Sequence, residues 1–417
     1  MADRPRVVML TCELEPIYCG GMGAMVATLC RALDRTAVQP VVVLPRSGQI
    51  APWPSLEHRV LPYGSADRHD VDGLEVWLLS NPVLDSAGII YPEPFDYAGI
   101  KKTDEYGERV AELLVGLAPD LLHLHDAYGY KCLYQARRLG LPTVLTIHRL
   151  HEDEPPLAFA ELAAVHLVDT VTTVSDAYRV ERSDFFAARS DVEVIPNGID
   201  LAYWHADDVE PRAQRRGDLL AGLGLPERPT FAFVGRLDRD QKGVDVLLAV
   251  LERAMAGAPY NLVIAGTGDV EIGAQLTAAA GRHAHVRFLH RMLARDEVRA
   301  MFAAVDAAII PSRYEPFGLI LVEAMAMGAI PIASRVGGLG EVLDGAGCGR
   351  SCAPGDVAGF ADAIAELAAW FLTAPDAVTA ARSLARARAE AFSMQRMAAR
   401  YAALYAGMLG RRVRSAA

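Results

Sequence analysis

The chain has 417 residues and a formal net charge of −11, because 52 Asp and Glu outnumber 41 Lys and Arg. Hydrophobic residues make up 52% and charged residues 22%, which is the composition of a folded globular protein rather than of a disordered one. The length predicts two or three domains. The acidic balance argues against a nucleic-acid partner, since nucleic-acid-binding domains usually carry a clear excess of basic residues.

Cysteine usage and the apolar segments indicate a cytoplasmic protein. The cysteines show no metal-ligand spacing, so we expect reduced thiols at Cys12, Cys19, Cys30, Cys132, Cys348 and Cys352. The first ten residues contain only a short apolar run and do not resemble a signal peptide. The most apolar helix candidate, residues 357–372, is interrupted by Asp362 and Glu366 and is too short to span a bilayer. We therefore expect no stable membrane insertion.

The chain opens with a strand at 6–11, a Gly-rich loop at 13–23 and a helix at about 24–33. The free amides of a helix start can bind an anion, although tight turns also need glycine for backbone reasons alone. Strands and helices then alternate, which predicts a parallel sheet covered on both faces, with ligands at the carboxyl ends of its strands. The further strands are predicted at 41–44, 75–79, 121–125, 143–148 and 171–175, and the helices at 104–117 and 130–139.

Polar side chains follow two of these strands. His123, His125 and Asp126 end one strand, and His148 ends the next. A metal site is less favoured than a hydrogen-bonding role, because no clear third ligand accompanies the histidines. For His123 we expect a satisfied core histidine. The intervening segment 89–110 is rich in Tyr and Pro, and such a loop either contacts an acceptor sugar or packs as a lid.

The second half begins after a charged, Gly-rich stretch at 207–228, where we place the domain boundary. Before it, Asn197 lies in an Asn-Gly-Ile-Asp turn, and could shape that turn or contact a ligand. The next strand, 230–234, is followed by Arg236 and Lys242. These cations are either an exposed basic loop or the groups that stabilise a diphosphate as it leaves.

The segment 311–334 is the most informative part of the chain. A strand at 305–310 leads through a Pro/Gly turn into a helix and on to another strand at 330–333. Glu315 lies in the turn and Glu323 on the helix, where either could simply be solvated, although a charge on so apolar a helix is seldom left without a partner. The amides near Phe317, Gly318 and Leu319 could hold a diphosphate while the carboxylates take hydroxyls, which suits a sugar nucleotide.

In these motifs the chain resembles the retaining GT-B glycosyltransferases of families 4 and 5, which include glycogen and starch synthases. Glu315 and Glu323 match the two glutamates eight positions apart around a Phe-Gly turn. The first loop matches at Gly20, Gly21 and Gly23, but the family's lysine before the glycines is replaced within residues 17–19. The remaining matches, in chain order, are the His-x-His-Asp motif at 123–126, His148, the Asn-Gly-Ile-Asp turn at 197–200, and the Gly-Arg and Lys-Gly pairs at 235–236 and 242–243.

The resemblance implies an α/β GT-B fold, with two Rossmann-like domains facing a central cleft and a C-terminal helix crossing back onto the first. We place the acceptor-side domain at 1–206, the nucleotide-sugar domain at 207–392 and the terminal helix at 393–417. The implied reaction is retaining, front-face transfer of a glucosyl-type hexose from a UDP-, ADP- or GDP-sugar to a hydroxyl of an α-glucan or a small molecule or natural product. Neither a cofactor nor a metal is expected, and the oligomeric state is left open.

The resemblance also implies roles for individual residues. Arg236 and Lys242 would stabilise the diphosphate, Glu315 would hold sugar hydroxyls, and His148 a hydroxyl near the reacting carbon. The remaining donor-binding candidates are Gly20, Gly21, Gly23, Asp126, Asn197, Gly266, Met292, Phe317, Gly318, Leu319 and Glu323, the last on the ribose. Three alternatives stay open: a nucleotide-sugar epimerase of GT-B architecture, a phosphorylase, which would normally be much longer and carry a cofactor lysine, and a non-catalytic sugar-nucleotide-binding protein.

Overall fold

The structure is a computed structural model that describes residues 4–15, 20–46, 53–85, 97–151, 155–187, 189–205, 211–254 and 258–415. Strands and helices alternate through the first half: β1 (Arg6–Leu10), α1 (Gly21–Ala32), β2 (Gln39–Pro45), β3 (Glu57–Leu61), β4 (Gly64–Val71), β5 (Leu74–Ser80), α2 (Tyr97–Leu117), β6 (Leu121–His125), α3 (Cys132–Arg138), β7 (Thr143–Ile147), α4 (Pro155–Leu167), β8 (Thr170–Thr173), α5 (Asp176–Glu181), α6 (Ser183–Phe186) and β9 (Glu193–Val194).

The same alternation continues in the second half: α7 (Arg212–Leu223), β10 (Thr230–Val234), α8 (Val244–Ala254), β11 (Asn261–Ala265), α9 (Val270–Arg282), β12 (Val286–Leu289), α10 (Arg295–Ala304), β13 (Ala307–Ile310), α11 (Leu319–Ala326), β14 (Ile330–Ser334), α12 (Gly337–Leu343), β15 (Arg350–Cys352), α13 (Val357–Thr373), α14 (Pro375–Ala389), a 3₁₀ turn (Glu390–Phe392) and α15 (Met394–Ser415).

The chain divides into two compact units. The first contains Met1–Val174, Arg182–Gly198 and Met394–Ala417, and the second Ser175–Glu181 and Ile199–Ser393. The chain therefore passes into the long segment of the second unit after Gly198 rather than after 206, and residues 175–181 also belong to the second unit. Within the second unit, Ile199 N donates to Phe392 O over 2.9 Å, which joins the two ends of its longer segment.

Contacts within the second unit explain why 175–181 belong to it. The Ser175 hydroxyl donates to Pro316 O over 2.6 Å, and the Gly337 amide donates to Glu181 over 2.7 Å. The Ala177 amide donates to Glu341 over 3.0 Å. These bonds join residues more than 140 positions apart, so no local sequence pattern could have placed the boundary.

The first unit is built on a nine-stranded sheet in the order β3-β4-β5-β2-β1-β6-β7-β8-β9. Its strands are parallel except in the β3–β4 and β4–β5 pairs. The register sets Val8 beside Val41 on one side and Leu122 on the other, so the central strands are fully buried. The β3–β4 hairpin was not predicted, because its edge strand alternates half-buried and exposed residues and lacks the apolar run that marks the inner strands.

The second unit has a six-stranded sheet, all parallel, in the order β12-β11-β10-β13-β14-β15. One face of its core includes Phe231, Val250, Ile264 and Phe360 from strands and covering helices. Both sheets confirm the predicted α/β class. A doubly wound sheet of this kind leaves a crevice where the strand order reverses, and that point locates both candidate sites.

The C-terminal run predicted as one helix from 376 to 409 is two helices, separated by the 3₁₀ turn and by Ser393. The second of them, α15, belongs to the first unit and packs against α1. Its Tyr405 hydroxyl bonds His123 Nδ1 over 2.7 Å, and its Tyr401 hydroxyl bonds Thr146 Oγ1 over 3.1 Å. These two bonds attach α15 to His123 on β6 and to Thr146 on β7.

The described residues include most of the cysteines, part of the aromatic segment and the apolar helices. Cys12, Cys30, Cys132, Cys348 and Cys352 are free and buried, as predicted, while Cys19 lies outside the described residues. So does the first part of the aromatic segment, residues 89–96. Within the described chain no individual helix is long and apolar enough to cross a membrane, and only α13 taken together with Pro375–Phe392, across a bend of 118°, meets that test.

Candidate active site

Each sheet has one point where the strand order reverses. In the second unit the order runs outward from β10 to β12 on one side and from β13 to β15 on the other, so the reversal lies between β10 and β13. In the first unit the corresponding reversal lies between β1 and β6. Ligands of doubly wound sheets bind beyond the carboxyl ends of the strands at this point. The residues that follow these four strands are therefore the candidate site residues.

At the β10–β13 reversal the structure brings together Lys242 and Glu315. Lys242 Nζ donates to Glu315 Oε2 over 2.5 Å, although 73 residues separate them. The two loops that carry them are tied by backbone bonds, because the amides of Arg313 and Tyr314 donate to Gln241 O over 2.8 and 3.3 Å. The two loops are therefore in direct contact at this strand-order reversal.

Arg236 lies on the same loop as Lys242 and is the more exposed cation. Its guanidinium donates to Gln241 Oε1 over 2.7 Å and lies 3.5 Å from Asp238. The Arg236 side chain is 46% exposed and that of Lys242 is 28% exposed, against 14% for Glu315. Two cations that reach solvent beside a more buried carboxylate can accept an anionic ligand while the carboxylate turns toward hydroxyls.

The turn before α11 is shaped by a glycine. Gly318 has φ 95°, and a Cβ at this position would lie 2.4 Å from Leu339 Cδ2. Phe317 is buried against Phe392, with ring centroids 5.6 Å apart. Gly318 is the N-cap of α11 and no side chain caps the helix within the described chain, so the first amides, beginning at Leu319, face the turn. This geometry suits a phosphate group at the helix start.

Three further candidates of the second unit are placed differently. Gly266 follows β11 and lies against the β10 end, because a Cβ there would be only 1.9 Å from Gly235 O. Glu323 is half-buried on α11, about one and a half turns after Gly318. Met292 lies three residues beyond β12 and is 52% exposed. Gly266 thus joins the Arg236 loop through the backbone, while no described contact of the Met292 side chain joins it to the other candidates.

At the β1–β6 reversal the candidate residues are buried and bond one another. Asp126, with φ 60°, accepts the amides of His148 and Arg149 over 2.7 and 3.4 Å. His148 Nε2 bonds His125 Nδ1 over 3.1 Å. His125 Nε2 is buried without a hydrogen-bond partner among the described residues. Asp126 therefore positions the turn that carries His148, and the pair of histidines keeps one buried ring nitrogen without a hydrogen-bond partner among the described residues.

Burial dominates the charge states of this group. It lowers the pKa values of His123 and His148 to about 3, and burial followed by the charges of His123 and His148 lowers the pKa of His125 well below its usual range. Burial raises the pKa of Asp126 to about 7, against the opposing charge of His151 and the amide bond from His148. The three histidines are consequently neutral near pH 7, and they can orient hydroxyl groups without adding charge.

His123 is a satisfied core histidine, as predicted. Its Nδ1 bonds the Tyr405 hydroxyl and its Nε2 bonds Thr146 Oγ1, both over 2.7 Å. Its ring lies against that of His125, with centroids 4.1 Å apart and planes tilted by 38°. Among the described residues no group of three or more His, Cys, Asp or Glu side chains is placed to hold a metal ion.

The Gly-rich loop contains a residue that the sequence analysis missed. Glu13 Oε2 accepts the amides of Gly20 and Gly23 over 2.9 and 3.1 Å at the start of α1. In this structure these two amides have an internal carboxylate acceptor, and donor binding by Gly20 and Gly23 stays a prediction. Gly21 is exposed. An acidic residue directly after a strand and before a Gly-rich helix start was the signal available in the sequence, because a carboxylate is a natural partner for such amides.

Asn197 occupies the last turn of the first unit. It is buried, and its side-chain oxygen has no hydrogen-bond partner among the described residues. The adjoining Gly198 amide donates to Met397 Sδ over 3.2 Å, which anchors the turn to α15. The turn therefore has a structural role, and the Asn197 amide group remains a candidate for ligand contact.

Comparison with known proteins identifies the family. Residues 19–203 match the family described as Glycosyltransferase Family 4, and residues 228–369 match Glycosyl transferases group 1. The chain is 31% identical over 387 residues to a glycogen synthase from Mycobacterium tuberculosis, covering 86% of this chain and 85% of the relative. It is also 31% identical over 245 residues to an alpha-maltose-1-phosphate synthase from Mycolicibacterium smegmatis, covering 54% of this chain and 62% of that protein.

A solved structure supports the same fold. The catalytic domain of starch synthase IV from Arabidopsis thaliana, bound to ADP and acarbose, superposes with a TM-score of 0.82 at 21% identity, covering 98% of this chain and 100% of that one. A likeness at this identity shows the fold, and the sequence relatives show the activity class. The chain therefore belongs to the GT-B glycosyltransferases related to glycogen synthase, and it is a glycosyltransferase.

Proposed function

We propose that this enzyme transfers a glucosyl-type hexose, with retention of configuration, from a nucleotide diphosphate sugar to an acceptor hydroxyl. The observation that carries the proposal is the contact between Lys242 and Glu315 at the β10–β13 reversal, with Arg236 on the same loop. A diphosphate sugar presents two anionic groups and several hydroxyls. One carboxylate and two cations beside an uncapped helix start offer partners for both.

The reaction that fits this arrangement is a front-face displacement. The bond from the anomeric carbon to the phosphate oxygen breaks, and its electron pair stays with the departing diphosphate. The acceptor oxygen bonds the same face of the carbon, and its proton passes to the phosphate oxygen that has just left. Arg236 and Lys242 stabilise the charge that grows on the leaving group, which is where a preorganised cation lowers the barrier most.

The remaining candidates have supporting roles. Glu315 accepts sugar hydroxyls, Glu323 the ribose hydroxyls, and neutral His148 a hydroxyl near the reacting carbon. The buried, neutral state of His148 supports this role, because an uncharged imidazole can bond a hydroxyl without competing for the diphosphate. We expect no metal requirement, since the two cations and the α11 amides supply the positive charge that a metal would otherwise bring.

The relatives leave two classes of acceptor. Glycogen synthase is named for a polymeric α-glucan product, and alpha-maltose-1-phosphate synthase for a small phosphorylated one. Replacement of the family's lysine within residues 17–19 bears on this choice, because that loop also carries Gly20. We place the reaction in the cytoplasm, in keeping with the buried free thiols.

A donor and acceptor panel tests the proposal. UDP-, ADP- and GDP-glucose are each incubated with an α-glucan, with glucose 1-phosphate or with no acceptor, and release of nucleotide diphosphate is measured with and without a chelator. We expect acceptor-dependent release that the chelator does not reduce, and an α-linked product by ¹H NMR. A β-linked product contradicts retention. Consumption of donor without transfer favours an epimerase, and binding without any turnover favours a non-catalytic protein.

A further inference from the structure

A second group of buried polar side chains lies beside Asp126 and His148. Glu161 on α4 accepts from His151 twice, through Nδ1 over 2.6 Å and through the backbone amide over 3.2 Å. His151 Nε2 bonds the Tyr128 hydroxyl over 3.0 Å. All three side chains are buried. The mechanism above uses none of them, and a carboxylate, an imidazole and a hydroxyl in series are costly to bury unless they are fully bonded.

These contacts close a ring between two strand ends. Asp126 and Tyr128 follow β6, and His148 and His151 follow β7. Asp126 accepts the His148 amide, while Tyr128 bonds the His151 ring, so the two segments are joined at both of their ends. Glu161 holds the backbone of His151 in place, because both of its oxygens accept the His151 amide over 3.2 Å. Breaking one link would free the turn that carries His148.

We propose that His151, held between Glu161 and Tyr128, is a positioning residue that sets the geometry and the charge of the Asp126–His148 pair. The proposal rests on the proposed function, because it assigns His151 to the residues that would hold the sugar. Glu161 accepts from Nδ1, so neutral His151 keeps its hydrogen there and Nε2 accepts from the Tyr128 hydroxyl. Protonated His151 adds a positive charge close to the Asp126 carboxyl.

The charged neighbours of Asp126 decide the direction of the electrostatic effect. Burial raises its pKa, His151 lowers it and Glu161 raises it, while the amides of His148 and Arg149 lower it. Cys12, after β1, faces Asp126 and Glu13, and its own pKa is raised by burial and by both carboxylates, so it stays a neutral thiol. The histidines at 125 and 148 are neutral. Protonated His151 is therefore the neighbour whose charge favours an ionised Asp126.

The test measures the ionisation of Asp126 apart from catalysis. In protein labelled with ¹⁵N-histidine, the His148 amide reports the carboxyl that it donates to. We expect its pH midpoint at about 7 in the wild type. In His151→Gln the midpoint should rise by about half a pH unit or more, because a favourable charge is lost.

Tyr128→Phe separates geometry from charge. It removes one hydroxyl and keeps the ring, so the midpoint should stay in place while kcat/KM falls by about tenfold from the loosened turn. His69→Gln is the matched control, because His69 is a buried histidine of the same unit that bonds Pro54 O over 3.0 Å, and it should change neither quantity.

An unchanged midpoint in His151→Gln, or full kcat/KM in Tyr128→Phe, overturns the proposal. A wild type that transfers no sugar from any donor refutes the proposed function instead. In that case the amide midpoints still decide whether His151 controls Asp126, so the two failures are distinguishable.

Discussion

At the β1–β6 reversal the polar side chains are buried and bond one another, whereas at the β10–β13 reversal two cations reach solvent. His125, His148 and Asp126 share hydrogen bonds under low exposure, and their pKa values shift toward the uncharged forms. Arg236 and Lys242 keep substantial exposure beside Glu315. One topology thus gives two kinds of strand-order reversal: a buried group of uncharged side chains in the first unit and a more exposed, charged group in the second.

The largest expected effect tests the charged side of this comparison. Lys242→Ala, Arg236→Ala and Glu315→Ala should each lower transfer about a hundredfold or more, which is the usual scale for losing a preorganised charge contact. Initial rates of nucleotide diphosphate release measure the effect. Arg239→Ala is the matched control, because Arg239 lies on the same loop, is 43% exposed and pairs with Glu271 at 3.8 Å. Near wild-type turnover in all three site variants would refute the assignment.

A glycine turn provides the next test. Gly318→Ala should lower the free energy of unfolding by roughly 1–3 kcal/mol, because alanine is strained at positive φ and its Cβ meets Leu339. Urea denaturation measures the change. Gly281→Ala in α9 is the control, since no described atom outside its helix lies within 4 Å of the added Cβ, and there alanine should be neutral or stabilising by up to about 1 kcal/mol. Equal losses at both positions would show that the turn geometry is not required.

The buried side of the comparison predicts acid sensitivity. His123, His125 and His148 have depressed folded-state pKa values, so the stability they contribute is present above about 6.5 and is lost as pH falls. Asp126 has a raised folded-state pKa, so its contribution to stability has the opposite pH dependence: it decreases as pH rises toward 7. Three histidines outweigh one carboxyl, so the free energy of unfolding should fall by about 2 kcal/mol from pH 7.5 to 5.5.

Replacing the carboxyl sharpens that prediction. In Asp126→Asn the opposing contribution is absent, so the decline from pH 7.5 to 5.5 should be steeper than in the wild type, as measured by urea denaturation at each pH. A stability that is flat across this range in both proteins would mean that the three histidines are not held neutral by burial.

The smallest expected effect concerns Glu13. Glu13→Gln keeps an oxygen that can accept the amides of Gly20 and Gly23, but it removes the negative charge at the start of α1. We expect a loss of about 1 kcal/mol in the free energy of unfolding, the scale of a charge at a helix N-terminus. Glu13→Ala should cost more, because both amides lose their acceptor. A stabilised Glu13→Gln variant would show that the carboxylate is instead held there at a cost.

The sequence analysis succeeded where the signal is local. The apolar run before Pro311, the Phe317-Gly318 turn and the apolar helix after it predicted a strand, a loop and a helix, and the structure has β13, the Gly318 turn and α11 in those places. The β3–β4 hairpin was missed because its residues are mostly polar and its strands pair antiparallel at the edge of the sheet. The ring through His151 was missed as well, since one histidine in a polar loop carries no spacing that marks it as bonded.

The amino-acid sequence by itself determined the alternation of strands and helices and the residues that end the strands, because side-chain periodicity and turn chemistry act between near neighbours. Only the tertiary structure decided which ends meet. It joined Lys242 to Glu315, gave the Gly20 and Gly23 amides to Glu13, and paired His123 with Tyr405 across 282 positions. Strand order and helix packing settle such contacts, and both depend on burying the whole core at once rather than on any one segment.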